Sequence, residues 1–460
     1  MLFSAAVVVL SYIYYGSFLH NFFAYDDYGF IENNSLGISR ILLGTNVSLR
    51  VLGNGIWWPL HLIGGLNPFA YNLFGLALHG VNAILLYLLL LRLFNHRGYA
   101  LIGGAVFLLN ASGCDAVFWK SSNCTLICSF FYIIAVYNYI VYRQDGSRTY
   151  LWLSVVSFLF AIFSKEDAAS MPFIILLIEF VFFGGMSDKK AAVCRAVPYT
   201  AVILFFFLIT EAAYRFHGWA GTPVKIRLLY TIFAGWTVFF LHPFGSLELS
   251  NPAIYITAIG MVLSLFWVKD KKALFFGYGW IFFSFLPQSI SGAGQFEITQ
   301  FTNSISRYLY LPAIGSSIVW AAIIVRFQEK VSPRVGYSVA AVFLLLFAWL
   351  NYGRIQETGE QSKEFTEPMA HFMDSIKKTV PGFPPNSYVY VMPSVLNASR
   401  GRIEQLLRLI YQRPDIHWIY SPEKYSRGPG ESAFLIICYP RYIGMDLAVY
   451  PISKVPMDLL

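Results

Sequence analysis

The chain is poor in charged residues, which make up only 13% of its 460 positions. A soluble domain carries roughly 25% charged residues, so this shortage excludes an ordinary soluble protein. Hydrophobic residues account for 57% of the sequence and aromatic residues for 18%, and the mean hydropathy is +0.56. The net charge of +8 is modest and calls for no nucleic acid as a partner. These values predict a polytopic protein of the lipid bilayer.

Cysteine is also scarce, and its five positions show neither zinc-site spacing nor an evident disulfide framework. The histidines at positions 61, 79, 217 and 242 show no metal-ligand spacing either. We therefore predict that no cofactor is required, although a divalent metal is compatible with the sequence. The N-terminus lacks a basic segment and a small-residue cleavage site before Asp26, which favours a retained first span over a removed signal peptide.

Long apolar runs predict about eleven membrane spans. They lie near residues 3–20, 72–94, 98–111, 116–142, 149–164, 168–185, 193–210, 253–268, 273–287, 308–326 and 335–351. The basic connections between them fall on one side, which the positive-inside rule identifies as the cytoplasm; they are 92–97, 143–148, 188–195, 269–272 and 326–334. The apolar segment 228–243 breaks this alternation, so we interpret it as re-entrant or interfacial.

This topology divides the chain into a transmembrane domain, residues 1–351, and a soluble extracytoplasmic domain, residues 352–460. The transmembrane domain carries a long first extracytoplasmic loop at 21–71. The tail alternates strand-like and helix-like segments, at 388–392, 400–412, 417–420 and 434–439. This alternation predicts a small α/β domain.

Two adjacent carboxylates, Asp26 and Asp27, follow the first span directly. At the membrane surface such a pair suits an enzyme of lipid-linked substrates, because one carboxylate can be oriented while its neighbour accepts a proton. The alternative is a solvated acidic loop, which the pair by itself favours.

Three further groups of polar residues fall on the same predicted face; they are Asp115 with Lys120, Lys165 with Glu166, and Arg307 with Tyr308 and Tyr310. An arginine can donate two parallel hydrogen bonds to phosphate oxygens, and lysines and tyrosines suit an anion or a sugar. Each group also has a structural interpretation: a helix cap at Asp115, snorkelling of Lys120, a polar turn, or an interfacial aromatic belt. The convergence of all four groups on one face favours a site.

The sequence resembles the membrane half of the protein O-mannosyltransferases that carry tetratricopeptide repeats, and of their bacterial relatives, which are C-type (GT-C) glycosyltransferases. The resemblance covers roughly residues 1–350 and lies in an ordered set of motifs: Tyr25-Asp26-Asp27, Ile31-Glu32-Asn33-Asn34, Trp58-Pro59-Leu60, Gly65-Leu66-Asn67-Pro68-Phe69-Ala70-Tyr71-Asn72-Leu73, Leu78-His79-Gly80-Val81-Asn82-Ala83, Ser164-Lys165-Glu166, Met171-Pro172 and Arg307-Tyr308-Leu309-Tyr310-Leu311-Pro312. It implies an α-helical GT-C-like bundle with the small soluble domain appended.

The resemblance also implies an inverting transferase that uses a polyprenyl- or dolichyl-phosphate sugar outside the cytoplasm. The family's catalytic acid residue maps onto Asp26, with Asp27 beside it, and Arg307 and Lys165 would face the lipid phosphate. Two features depart from the family. Relatives carry His-Pro-x-His-x-Glu where this chain has the segment 110–115, which lacks both histidines, and the repeat domain is absent.

The sequence therefore predicts a polyprenyl-phosphate-sugar-dependent glycosyltransferase of the bacterial inner membrane. Its active site and soluble domain would be periplasmic, and its acceptor would be a protein or a cell-surface glycan. A lipid-linked glycan flippase is one alternative, but transporters place charges near the bilayer midplane and show internal repeats, neither of which is visible here. The second alternative is an inactive scaffold of the same family, which the missing histidines keep open.

Overall fold

The computed structural model describes residues 2–35, 49–185, 187–217, 262–268, 271–290, 306–391, 400–420, 428–440 and 445–452, with Ile259 and Tyr425. Within these residues the helices that precede the soluble domain are α1 (Leu2–Tyr15), α2 (Asp27–Ser35), α3 (Val51–Gly55), α4 (Trp57–Gly64), α5 (Pro68–Phe94), α6 (Arg97–Leu109), α7 (Asp115–Phe118), α8 (Asn123–Asp145), α9 (Arg148–Ser164), α10 (Met171–Phe182), α11 (Lys189–His217), α12 (Lys271–Ile290), α13 (Tyr310–Lys330) and α14 (Pro333–Thr379).

The predicted spans that lie within the described residues all correspond to helices. The predicted span 253–268 lies largely, and the segment 228–243 entirely, outside the described residues. In the described part of the chain, five helical stretches are long and apolar enough to cross a membrane: Pro68–Phe94, Lys120–Asp145, Lys189–Ala212, Arg307–Lys330 and Pro333–Thr379. Shorter apolar helices, such as α6 and α9, pack against them. The predicted helical bundle is therefore confirmed.

Close packing at the centre of the bundle depends on small residues. A Cβ atom on Gly315 of α13 would lie 2.5 Å from the carbonyl oxygen of Gly277 on α12. Because lipid provides no hydrophobic force between helices, such close backbone approach is a main source of helix association in membranes. Helix α8 ends at Gly146, whose φ of +76° suits glycine and lets α9 run back along α8.

Three of the five predicted basic connections meet at one end of the bundle. Arg92 lies 2.6 Å from Asp145, which joins two of them. The fully buried Glu179 accepts hydrogen bonds from Arg143 at 2.5 Å and from Arg195 at 2.8 Å, which joins the second connection to the third. Pairing of this kind is how an ionisable residue is accommodated inside a membrane domain.

The soluble domain contains β1 (Ser387–Val391), α15 (Arg400–Tyr411), β2 (Ile416–Trp418), β3 (Ser432–Pro440) and β4 (Met445–Pro451). The strand order is β2-β1-β3-β4, in which β1 is parallel to β2 and β3, and β4 is antiparallel to β3. The predicted α/β character is confirmed; β4 is an additional strand. The boundary predicted after residue 351 falls inside α14, which continues unbroken to Thr379.

The first loop and the soluble domain share one hydrophobic core. Phe23 and Trp57 of the loop belong to the same buried cluster as Phe372 of α14, Val389 of β1 and Leu406 of α15. Apolar burial of this extent fixes the loop against the soluble domain. The residues after α1 are consequently held between the membrane bundle and the sheet.

Candidate active site

The backbone turns sharply just before the carboxylate pair. Tyr25 has φ of +44°, an uncommon conformation for a residue with a side chain, and α2 begins two residues later. This turn gives the adjacent carboxylates Asp26 and Asp27 different surroundings. One side chain is half exposed and the other is fully buried.

Asp27 is a buried anchor. Its Oδ2 accepts from the Ala24 amide at 2.9 Å, and its Oδ1 accepts from the Ser121 amide at 2.8 Å and from the Ser121 hydroxyl. Burial raises the pKa of Asp27 above its usual 3.8, although Lys120 and these hydrogen bonds oppose the rise. Asp27 therefore joins the first loop to the turn that precedes α8, and it is not exposed to a substrate.

Asp26 is the accessible carboxylate, with a side chain that is 54% exposed. Its Oδ1 accepts from the guanidinium of Arg402, which belongs to α15 of the soluble domain. Within the described part of the chain, the structure shows no protein group that donates to its Oδ2. Asp26 is thus the member of the pair that could accept a proton from a substrate.

Lys120 lies beneath the loop. Its side chain is buried, its Nζ donates to the carbonyl of Phe22 at 2.6 Å, and it lies 5.6 Å from the ring centroid of Phe23. Its positive charge interacts electrostatically with the buried carboxylate of Asp27. The predicted substrate-binding lysine therefore supports the loop from within.

Lys165 and Glu166 lie in the turn between α9 and α10, and each has an oppositely charged partner. The Nζ of Lys165 lies 2.8 Å from Asp167 Oδ2 and donates to Thr125 Oγ1 at 2.9 Å. It also lies 4.6 Å from the ring centroid of Tyr308. The lysine thus places a buried positive charge behind the Tyr308 ring.

Glu166 receives both arms of a guanidinium. Arg50 donates from Nε to Glu166 Oε2 at 2.8 Å and from Nη2 to Glu166 Oε1. Burial would raise the pKa of Glu166, but the Arg50 guanidinium outweighs it and lowers this pKa to about 2. The bidentate pair holds the middle of the first loop against the turn between α9 and α10.

Arg307 lies between two aromatic rings, 4.3 Å from the Trp119 centroid and 4.7 Å from the Tyr308 centroid. Its Nη2 donates to the Tyr308 hydroxyl at 3.3 Å. Among the described residues the structure gives Arg307 no carboxylate partner, unlike Arg50 or Lys165. Its charge is therefore available to an anion.

An aromatic row connects Arg307 to the carboxylate loop. Tyr25 lies 5.4 Å from Trp119 edge to face, and it stacks on Phe365 of α14 at 4.6 Å. The indole nitrogen of Trp119 is buried and has no hydrogen-bond partner among the described residues. The row Phe365, Tyr25, Trp119 and Arg307, which we call the aromatic row, runs beside Asp26.

Two predicted residues lie apart from this row. The Tyr310 hydroxyl is buried in the bundle, where it lies 2.8 Å from His79 Nδ1 and accepts from Asn82 at 3.2 Å. Asp115 is partly buried and is the first residue of the four-residue α7, whereas α8 begins only at Asn123. Asp115 is therefore not the cap of the following span.

Several residues of this region were not among the predicted site residues. Trp119 directly precedes the predicted Lys120. A tryptophan there does not by itself indicate a binding site, because tryptophan is common at membrane interfaces. Arg50 and Arg402 lie in a polar loop and in the tail, far from any motif, so only folding could reveal them. In the described residues no group of three or more His, Cys, Asp or Glu side chains is placed to hold a metal ion.

No family model and no curated protein matches the sequence. Solved structures do match the fold. ArnT from Cupriavidus metallidurans aligns over 97% of both chains, with a TM-score of 0.53 in the apo state and 0.52 when bound to undecaprenyl phosphate, at 11% identity. The Archaeoglobus fulgidus oligosaccharyltransferase, solved with a tethered acceptor peptide containing the NVT sequon, matches with a TM-score of 0.50 and 11% identity, over 90% of this chain and 64% of its own.

The chain has a GT-C fold. ArnT and the archaeal oligosaccharyltransferase are membrane glycosyltransferases of this type. The predicted GT-C architecture is confirmed, and with it the prediction of an integral membrane protein. The region between the first loop, the turn between α9 and α10, and the start of α13 is the candidate active site.

Proposed function

We propose that the protein is a glycosyltransferase that moves a sugar from a polyprenyl-phosphate donor to an acceptor hydroxyl. The observation that carries this proposal is the aromatic row, which lies beside the accessible carboxylate of Asp26 and ends at Arg307, a guanidinium with no carboxylate partner among the described residues. A base and a phosphate-binding cation on one face are the groups that such a transfer requires. The GT-C fold shared with ArnT, which was solved with undecaprenyl phosphate, supports this donor class.

In the proposed reaction, Asp26 Oδ2 accepts the proton of the acceptor hydroxyl. The acceptor oxygen bonds to the anomeric carbon as the bond between that carbon and the phosphate oxygen breaks, and the electron pair leaves with the lipid phosphate. A single displacement of this kind inverts the anomeric configuration. Because the departing phosphate is a stable anion, it needs cationic stabilisation more than protonation.

Arg307 is the group proposed to hold that phosphate. Two other cations described in this region are engaged: Arg50 with Glu166, and Lys165 with Asp167. Lys165 would act by its charge from behind Tyr308. The Trp119 indole could donate its free N–H to the donor, and the rings of the aromatic row could pack against the sugar.

The proposed location is the periplasmic face of the bacterial inner membrane. Three basic connections meet at one end of the bundle, and positively charged connections are retained in the cytoplasm. The acceptor would be a protein or a cell-surface glycan, and the proposed chemistry uses neither a divalent metal nor another cofactor.

The first test is binding of undecaprenyl phosphate by the purified protein in nanodiscs, measured by native mass spectrometry. Hydrogen bonds to charged groups contribute about 1.5–3 kcal/mol each, and about 1.4 kcal/mol is a tenfold change in affinity. We therefore expect Arg307→Gln to weaken binding by roughly 10- to 100-fold.

Arg326→Gln is the matched control, because Arg326 lies at the opposite end of the same helical stretch and pairs with Glu329. This variant should bind the lipid like the wild type. Equal binding by the wild type and Arg307→Gln would contradict the assignment of Arg307 to the phosphate.

A further inference from the structure

A side chain of the soluble domain reaches the candidate base. Arg402 of α15 donates from Nη2 to Asp26 Oδ1, across 376 positions of sequence. Exposed ion pairs contribute little to stability, so this contact is not explained as a fold-stabilising one. Its position is distinctive, because it engages one oxygen of the accessible carboxylate beside the aromatic row.

The guanidinium is held in place from both sides. Its Nη1 donates to Gln405 Oε1 at 3.1 Å, one turn further along α15. On the opposite side lies Gly29 of α2, where a Cβ atom would come within 3.2 Å of Arg402 Nη1. The missing side chain at position 29 thus lets the guanidinium lie against the backbone that follows Asp26.

A second contact fixes α15 against the same short helix. Arg408 lies 3.4 Å from Glu32 of α2 and 2.7 Å from Glu404 of its own helix. The bidentate geometry of a guanidinium makes such contacts directional as well as attractive. Helix α15 is therefore positioned on α2 independently of the contact to Asp26.

We infer that Arg402 is a positioning residue of the active site, so that the soluble domain completes the catalytic apparatus of the membrane domain. This inference rests on the proposed function of Asp26. Arg402 engages Oδ1 and thereby orients the carboxylate, which leaves Oδ2 to meet the acceptor hydroxyl. Catalytic groups must be held close to their productive geometry, and a freely rotating carboxylate would lose much of its effect.

The test measures sugar transfer by the full-length protein in nanodiscs, with undecaprenyl-phosphate mannose and undecaprenyl-phosphate glucose as donors and water or a detergent extract of bacterial envelope as acceptor. Arg402→Gln should lower kcat by at least tenfold with little change in KM for the donor, because the donor phosphate is bound elsewhere. Arg402→Lys should restore part of kcat, because lysine keeps the positive charge but lacks the planar guanidinium that donates from two nitrogens. Arg413→Gln, which removes the partner of Asp415 in the same domain, is the matched control and should leave kcat unchanged.

A double-mutant cycle separates this inference from the proposed function. Asp26→Asn, Arg402→Gln and the double variant form a cycle whose effects on kcat should be non-additive, because Arg402 is inferred to act through Asp26. Additive effects on kcat would overturn the inference, as would an Arg402→Gln variant with unchanged kcat, and both outcomes would leave the transferase proposal standing. A wild type that transfers no sugar from either donor would overturn both the proposed function and the positioning role of Arg402.

Discussion

Asp26 and Asp27 should respond in opposite ways to the same substitution. Asp27→Asn keeps the shape but leaves one carbonyl oxygen where the carboxylate accepts three hydrogen bonds, from Ala24 and twice from Ser121. At least one buried donor then lacks an acceptor, and each such donor lowers the free energy of unfolding by about 1–3 kcal/mol. Lys120 also loses the negative charge that opposes its own. We expect a loss of about 3 kcal/mol in the free energy of unfolding.

Asp26→Asn should leave the fold intact and remove the base. Its side chain is largely exposed and its ion pair lies at the surface, so the free energy of unfolding should change by less than about 1 kcal/mol. The loss of a general base should lower the rate of sugar transfer by about 10²- to 10⁴-fold.

The assay combines unfolding of purified variants in mixed micelles with envelope glycan profiling by mass spectrometry. A deletion strain would be complemented with each variant. Asp145→Asn is the control, because Asp145 also carries an exposed ion pair but lies at the opposite end of the bundle. A stable, inactive Asp27→Asn would refute the assignment and make Asp27 the base. If Asp26→Asn fully restored the glycan that the deletion strain lacks, Asp26 would not be the base, and the scaffold or flippase alternatives would be favoured.

Two smaller predictions follow from the same region. Tyr310→Phe removes the hydroxyl that lies within hydrogen-bond distance of both His79 and Asn82. This variant should lower the free energy of unfolding by about 1–3 kcal/mol and leave KM for the donor unchanged. A raised KM would show that Tyr310 contacts the donor. The Arg50 guanidinium lowers the pKa of Glu166 from 4.5 to about 2, so this carboxylate contributes stability above pH 4.5 that is lost as the pH falls through 2. The unfolding midpoint of Glu166→Gln should therefore depend less steeply on pH across that window than the wild type's; parallel profiles would contradict this.

The bundle was predictable from the sequence because bilayer thickness imposes a length on every span. Apolar runs located the long helices of the bundle within the described residues, although not the short helices α2, α3 and α4 of the first loop, and the basic connections identified one end. The convergence of four polar groups on the other end followed from counting spans. Contacts such as Asp27 with Ser121 and Lys165 with Tyr308 show that these groups do meet.

What each charged residue does could not be read from its type. Asp26 and Asp27 are adjacent and chemically identical, yet a turn at Tyr25 exposes one and buries the other. Likewise Lys165 and Arg307 are both cations at the same face, but of the two only Lys165 has a buried carboxylate, at 2.8 Å, among the described residues. Burial and pairing depend on neighbours that are distant in sequence, so propensity and spacing carry no information about them.

By itself the sequence determined the membrane bundle, its apolar spans and the face on which polar residues gather, because hydropathy and loop charge act locally along the chain. Only the tertiary structure decided which carboxylate is accessible, which cation has no carboxylate partner among the described residues, and that Arg402 of the tail lies against Asp26. These outcomes arise from side chains up to 376 positions apart that meet where the tail packs on the first loop, and a local pattern cannot specify such a meeting.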